Sequence, residues 1–145
     1  MKNKLRYSAI ALFIFIMPLQ AQEQLVEQSD EMLIKETIQK YFDGWLTGDT
    51  ALIGQAMHRT CHLKFNRDEK VVAINRNDYL SGFKPHERTP NAEGRLISLD
   101  ITRTAASAKC EIERPNRLFT DYFNLLKIDG RWYIVDKIST SVSKE

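Results

Sequence analysis

A chain of 145 residues has room for one domain and is long enough to bury a real hydrophobic core. Setting aside residues 1–21 leaves 18 basic against 19 acidic side chains, so no basic excess or cluster points to nucleic acid. Two cysteines are too few for a disulfide framework, and neither an internal repeat nor a low-complexity segment is present.

Lys2, Lys4 and Arg6 precede an apolar run from Ala9 to Leu19, followed by Leu19-Gln20-Ala21. A basic start, an apolar run too short to span a bilayer comfortably and a small residue at the cut read as a signal peptide, residues 1–21. The alternative is an uncleaved membrane anchor. No cysteine follows the run, which argues against a lipid-modified form. The expectation is an exported protein, periplasmic or secreted, with its domain at 22–145 and no membrane contact after cleavage.

Residues 23–47 predict a long helix, with Ile34, Ile38, Tyr41, Phe42 and Trp45 on one apolar stripe. Gly48 suits its C-terminal cap, and Gly44 weakens the last turn by about 1 kcal/mol relative to alanine. Asp49 or Thr50 can cap a short second helix, Ala51 to about Met57, ahead of His58. Cys61 to Phe65 alternates as a strand with Cys61, Leu63 and Phe65 inward. A polar turn at 66–69 leads to a second strand, Val71 to Ile74.

His58 and His62, with Cys61 between them, superficially resemble a zinc cluster, but the segment changes from helix to strand there. Neither a metal nor a cofactor is expected. Asn75 opens a third helix with Asp78 as its capping partner and Tyr79, Leu80 and Phe83 on its inner face. The stretch from Lys84 to Gly94, with two prolines, reads as a mobile connection or lid carrying an exposed His86.

From Arg95 the pattern is all strand. Ile97, Leu99 and Ile101 alternate with polar residues, as do Ala106, Ala108, Cys110 and Ile112. A turn near Thr104-Ala105 would set Leu99 opposite Cys110, and one at Pro115-Asn116 would set Cys110 opposite Asp121. Asp129-Gly130 is a strong hairpin signal, since a type I′ turn needs positive φ at both central residues. That turn puts Ile128 opposite Arg131. Phe119, Asp121, Phe123 and Leu125 then share a face with Trp132, Ile134, Asp136 and Ile138. The other face carries Tyr122, Asn124, Leu126, Ile128, Tyr133, Val135 and Lys137.

The motifs YFDGWLTGD (41–49), AMH (56–58), AASAK (105–109) and FTDYFNLLKIDGRWYIVDK (119–137) resemble the nuclear transport factor 2-like superfamily, which includes SnoaL-like proteins. The resemblance is closest to its bacterial branch of putative lumazine-binding proteins. It implies a cone-shaped, cystatin-like α+β fold, with three helices from the N-terminal half packed on a curved antiparallel sheet. It further implies a pocket between the long helix and the sheet, and a homodimer formed through the outer sheet face. The family's strand order separates Cys61 and Cys110 by three strands, on the order of 14 Å at about 4.8 Å per strand. A disulfide needs Cα atoms within roughly 7 Å, so two free thiols are expected. Asp136 departs from the amide expected there in this branch.

A pocket lined by Tyr41, Trp45, Phe119, Phe123 and Trp132, with Asp121 and Asp136 as polar anchors, suits a small apolar or heterocyclic ligand. The main expectation is therefore a binding module without catalysis. The alternative is a SnoaL- or ketosteroid-isomerase-like isomerase, dehydratase or cyclase. There two carboxylates about 7 Å apart would disfavour joint ionisation, with Asp121 as acid/base and Tyr41 or His58 as second donor. A plainer account has both aspartates hydrogen-bonding to Tyr41, Trp45, Arg117 or backbone, and the cone filled by side chains.

Overall fold

The computed structural model describes residues 19–144, with side chains from Asp30 onward. The expected signal peptide lies outside the described residues except for its last three positions. Three helices, α1 (Leu19–Thr47), α2 (Thr50–Ala56) and α3 (Arg76–Ser81), pack on six strands: β1 (His62–Arg67), β2 (Lys70–Asn75), β3 (Glu93–Thr102), β4 (Ala105–Arg114), β5 (Arg117–Ile128) and β6 (Arg131–Ser143). The sheet is curved and unclosed, in the order β2-β1-β6-β5-β4-β3. All pairings are antiparallel except β1 with β6. Among the described residues no helix is long and apolar enough to cross a membrane.

The helical stripe read from the sequence is the one that packs. Ile34, Ile38, Tyr41 and Phe42, joined by Leu46, lie buried against Ala108, Cys110 and Ile112 of β4, Phe123 and Leu125 of β5, and Ile134 of β6, whereas Trp45, expected on the same stripe, is only half-buried at its edge. Gly48 ends α1 at φ 67°, and Asp49 caps α2 by accepting from the Ala51 and Leu52 amides. Asn75 caps α3 by accepting from the Asp78 amide.

Gly44 has a role that helix propensity does not reveal. A Cβ there would stand 2.7 Å from Ile53 Cγ1 and 2.8 Å from Asp49 O, so its missing side chain lets α2 fold back on α1. The Lys84–Gly94 connection is tethered rather than free. The His86 amide donates to Thr47 O at 2.8 Å, and the Thr89 amide to Leu46 O at 3.1 Å.

Two of the three late hairpins keep the expected register beside their turns. Asp129 and Gly130 both have positive φ and Ile128 faces Arg131; Cys110 faces Asp121. The β3–β4 turn falls one residue earlier than expected. Thr102 faces Ala105, so Leu99 lies opposite Ala108, and a bulge at Ile97 then brings Leu96 opposite Cys110. Ile97, expected inward, is exposed at this bulge. Cys61, immediately before β1, and Cys110 of β4 are buried and free, and their two strands lie three positions apart in the sheet.

The register of β6 departs further from expectation. Leu125 faces Ile134 but Asn124 faces Asp136, so Val135 is an extra residue in the strand. Beyond it every side chain changes face. Lys137, expected outward, is buried, whereas Asp136 and Ile138, expected inward, point the other way. Asp136 pairs with Lys64 of β1 at 2.7 Å and shares no face with Asp121.

Candidate functional site

The bulge assembles a buried polar group beneath α1. Cys110, Asp121 and Ser139 form a row across β4, β5 and β6, and Lys137 stands diagonal to Asp121. Lys137 Nζ lies 3.0 Å from Asp121 Oδ2, and Ser139 Oγ donates to Asp121 Oδ1 at 2.6 Å. From the helix side, Tyr79 of α3 accepts a long 3.5 Å contact from Lys137, and the Tyr79 and Tyr41 hydroxyls are 2.7 Å apart. The ammonium also sits 5.3 Å and 5.2 Å from the Tyr41 and Tyr79 ring centres, in cation–π range.

Asp121 is 1% exposed and Lys137 3%, so each charge would be costly without the other. Burial pulls Lys137 towards its neutral form, but Tyr79 and Asp121 outweigh it and hold the ammonium above the ordinary lysine pKa. Burial, reinforced by Tyr79 and Asp121, pushes the Tyr41 phenol well above its usual range. Burial likewise drives both thiols up to about 12, Cys110 with help from Asp121 and Cys61 from Asp136. Neither cysteine is a nucleophile at neutral pH.

Ser139 connects this interior to a cleft. β1 and β6 pair only at Leu63–Lys137 and Lys64–Ile138 and then diverge. The gap holds about 520 Å³, with Leu63 and Phe65 on one side and Phe119 and Ile138–Ser141 on the other. The Ser139 proton is committed to Asp121, which leaves the hydroxyl's lone pairs for a donor arriving through the cleft. Both oxygens of Asp121 are engaged, so the carboxylate orients Ser139 and is not itself presented.

The expected site residues divide by environment. Trp45 and Phe119 meet edge-on at 5.2 Å and each borders a cleft. Tyr41 and Phe123 pack against each other at 5.0 Å and are fully buried. Trp132 is a structural anchor: its indole donates to Asp30 at 3.0 Å, and Asp30 also holds Lys127 at 2.6 Å. His58 is not brought to Asp121. Its ring packs on Tyr133, a side chain of the opposite sheet face, and its Nδ1 lies 2.8 Å from Thr60 Oγ1.

Sequence reasoning missed Lys137, Ser139 and the polar role of Tyr79. A signal did exist. An inward Asp121 on an apolar face requires a cation, and Lys137 lies one position from the place where the neighbouring strand could supply it.

Helices on a curved, open six-stranded sheet, with a polar group buried between them, define a nuclear transport factor 2-like protein of cystatin-like fold. The chain belongs to the family described as "Putative lumazine-binding", whose model matches residues 29–139. Among solved structures, a nuclear transport factor 2-like protein of unknown function from Shewanella baltica is similar at 27% identity and TM-score 0.74, covering 80% of this chain and 96% of that one. One from Methylobacillus flagellatus shows 27% identity and TM-score 0.68, covering 77% and 90%. A ketosteroid isomerase-like protein from Erwinia carotovora atroseptica shares the fold at 10% identity and TM-score 0.61, covering 78% and 96%. No curated protein matches the chain.

Proposed function

We propose that the protein is a small-molecule-binding module whose ligand enters the gap between β1 and β6. One observation carries this reading: Ser139 lines a cleft with apolar walls at Leu63, Phe65, Phe119 and Ile138 and polar groups at Asn66, Thr140 and Ser141, while its hydroxyl is oriented from behind by the buried Asp121–Lys137 pair. A volume of about 520 Å³ suits a small organic molecule. The preferred ligand has an apolar or flat heterocyclic body and an N–H or O–H that donates to Ser139. The test is mass spectrometry of small molecules copurifying with the protein, followed by calorimetry of neutral heterocycles. Saturable binding lost in Leu63→Trp, which fills the gap, supports the reading; binding unchanged in Leu63→Trp and Ser139→Ala would overturn it.

The isomerase alternative relied on two facing carboxylates, and Asp121 is paired with a lysine instead. In the binding module Asp121 is a positioning residue that orients Ser139.

The exposed outer-face residues Tyr122, Leu126, Ile138 and Val142 support a second element of the reading, a two-fold homodimer through this face. Light scattering of wild type and Tyr122→Glu checks it, the variant being expected as a monomer. Export by cleavage after residue 21 belongs to the same reading, and the intact mass of the protein from the periplasm or medium tests it.

A further inference from the structure

A second cleft, separate from the β1–β6 gap, lies at the end of α1 and has a different chemistry. It holds about 490 Å³ and takes Trp45 from α1, Phe83, Lys84 and His86 from the α3–β3 connection, and Arg114 from the end of β4. Arg114 sits 5.8 Å from the Trp45 ring centre, and Arg117 across the β4–β5 turn sits 6.0 Å from that of Phe119. Two guanidinium groups thus bracket the Trp45–Phe119 pair. Among the described residues no carboxylate lines the cleft. The acidic side chains near these residues in sequence are mostly engaged: Asp43 by Arg88 at 3.1 Å, Asp49 as the cap of α2, and Glu113 by Arg95 at 2.7 Å and by Lys144. Glu87, beside His86, is the exposed exception.

The basic wall is held in place. Gly48, at φ 67°, packs so closely that a Cβ would stand 2.0 Å from Lys84 O, and the His86 amide is bonded to Thr47 O. His86 Nδ1 donates to Glu87 O at 2.6 Å, which leaves Nε2 as the ring's free nitrogen. A fixed loop lowers the ordering cost of binding.

We propose that this cleft binds a small aromatic carboxylate, its ring against Trp45 and Phe83 and its carboxylate taken by Arg114 and Lys84. A guanidinium already stacked on an aromatic side chain offers its N–H edge to a carboxylate in a charge-assisted pair. The site stands independently of the β1–β6 gap.

The test is calorimetry of the full chain with 1-naphthoate and its neutral isostere 1-naphthamide. The expected result is saturable 1:1 binding of the acid, at least tenfold weaker binding of the amide, and weakening as salt rises from 0.05 to 0.5 M. Arg114→Gln and Lys84→Gln, both exposed positions, are each expected to weaken naphthoate about tenfold, whereas Lys70→Gln, which removes the same charge elsewhere, leaves it unchanged. Equal affinity for acid and amide would overturn the proposal. So would equal competition by inorganic phosphate, or loss of naphthoate binding in Leu63→Trp, which would place the ligand in the other cleft.

Discussion

Lys137 Nζ lies 3.0 Å from Asp121 Oδ2 in a place that neither side chain shares with solvent. Removing one partner strands the other charge in the interior, at a cost of about 3–5 kcal/mol, while an apolar replacement of both is close to neutral. Lys137→Met is therefore expected to lower unfolding stability by about that amount, and Asp121→Leu/Lys137→Met to recover most of it. Urea denaturation of the singles and the double completes the cycle. A double variant as unstable as Lys137→Met would contradict the pairing.

Asp30 ties the start of the described α1 side chains to the last hairpin through Trp132 and Lys127. Burial opposes its charge, but the hydrogen bonds from Lys127 and Trp132 prevail and hold its pKa below the usual 3.8. A depressed carboxylate stabilises the fold above its unfolded pKa, and that contribution is lost as pH falls through the folded value. Asp30→Asn should cost about 1–3 kcal/mol at neutral pH, with the difference from wild type narrowing below pH 3.8. Thermal melts from pH 2 to pH 7 would show the two curves converging on the acid side.

Cys61 and Cys110 have the opposite sign. Unfolded thiols ionise at about their ordinary 9.0, whereas the folded ones hold their protons to about 12. The unfolded state thus binds fewer protons across that interval, so stability is intact below pH 9.0 and falls as pH climbs towards 12. Tyr41 and Lys137, both raised, add to the same alkaline loss. Thiol titration at pH 8 should find both cysteines unreactive in the native protein and both reactive in guanidinium.

Gly44 sets two effects against each other. Alanine would add about 1 kcal/mol of helix propensity, but its Cβ would meet the Ile53 side chain at 2.7 Å and backbone atoms at 2.8 Å. Overpacking of this kind costs about 1–3 kcal/mol, so Gly44→Ala is expected to destabilise. A denaturation midpoint higher than wild type would show that α2 can shift away cheaply.

The elements readable from sequence were those governed by neighbours along the chain. The spacing of Ile34, Ile38, Tyr41 and Phe42 specifies which side of α1 is buried, because helical geometry alone puts them on one stripe. Asp129-Gly130 specifies a hairpin and its first pairs, because few residue pairs adopt positive φ twice in succession. Asp49 and Asn75 announce the starts of α2 and α3 by the same local logic.

What only the tertiary structure decided is where those local rules stop applying. Turn chemistry propagates register outward until an extra residue intervenes, and nothing in Tyr133-Ile134-Val135-Asp136 marks Val135 as the one that bulges. The choice belongs to contacts distant in the chain: Asp121 on β5 needs a cation, Tyr79 and Tyr41 provide aromatic faces for it, and Lys64 on β1 waits for Asp136. Shifting a strand by one residue exchanges every side chain between faces, so that single insertion turned an expected pair of carboxylates into a buried ion pair with Ser139 at the edge of a cleft.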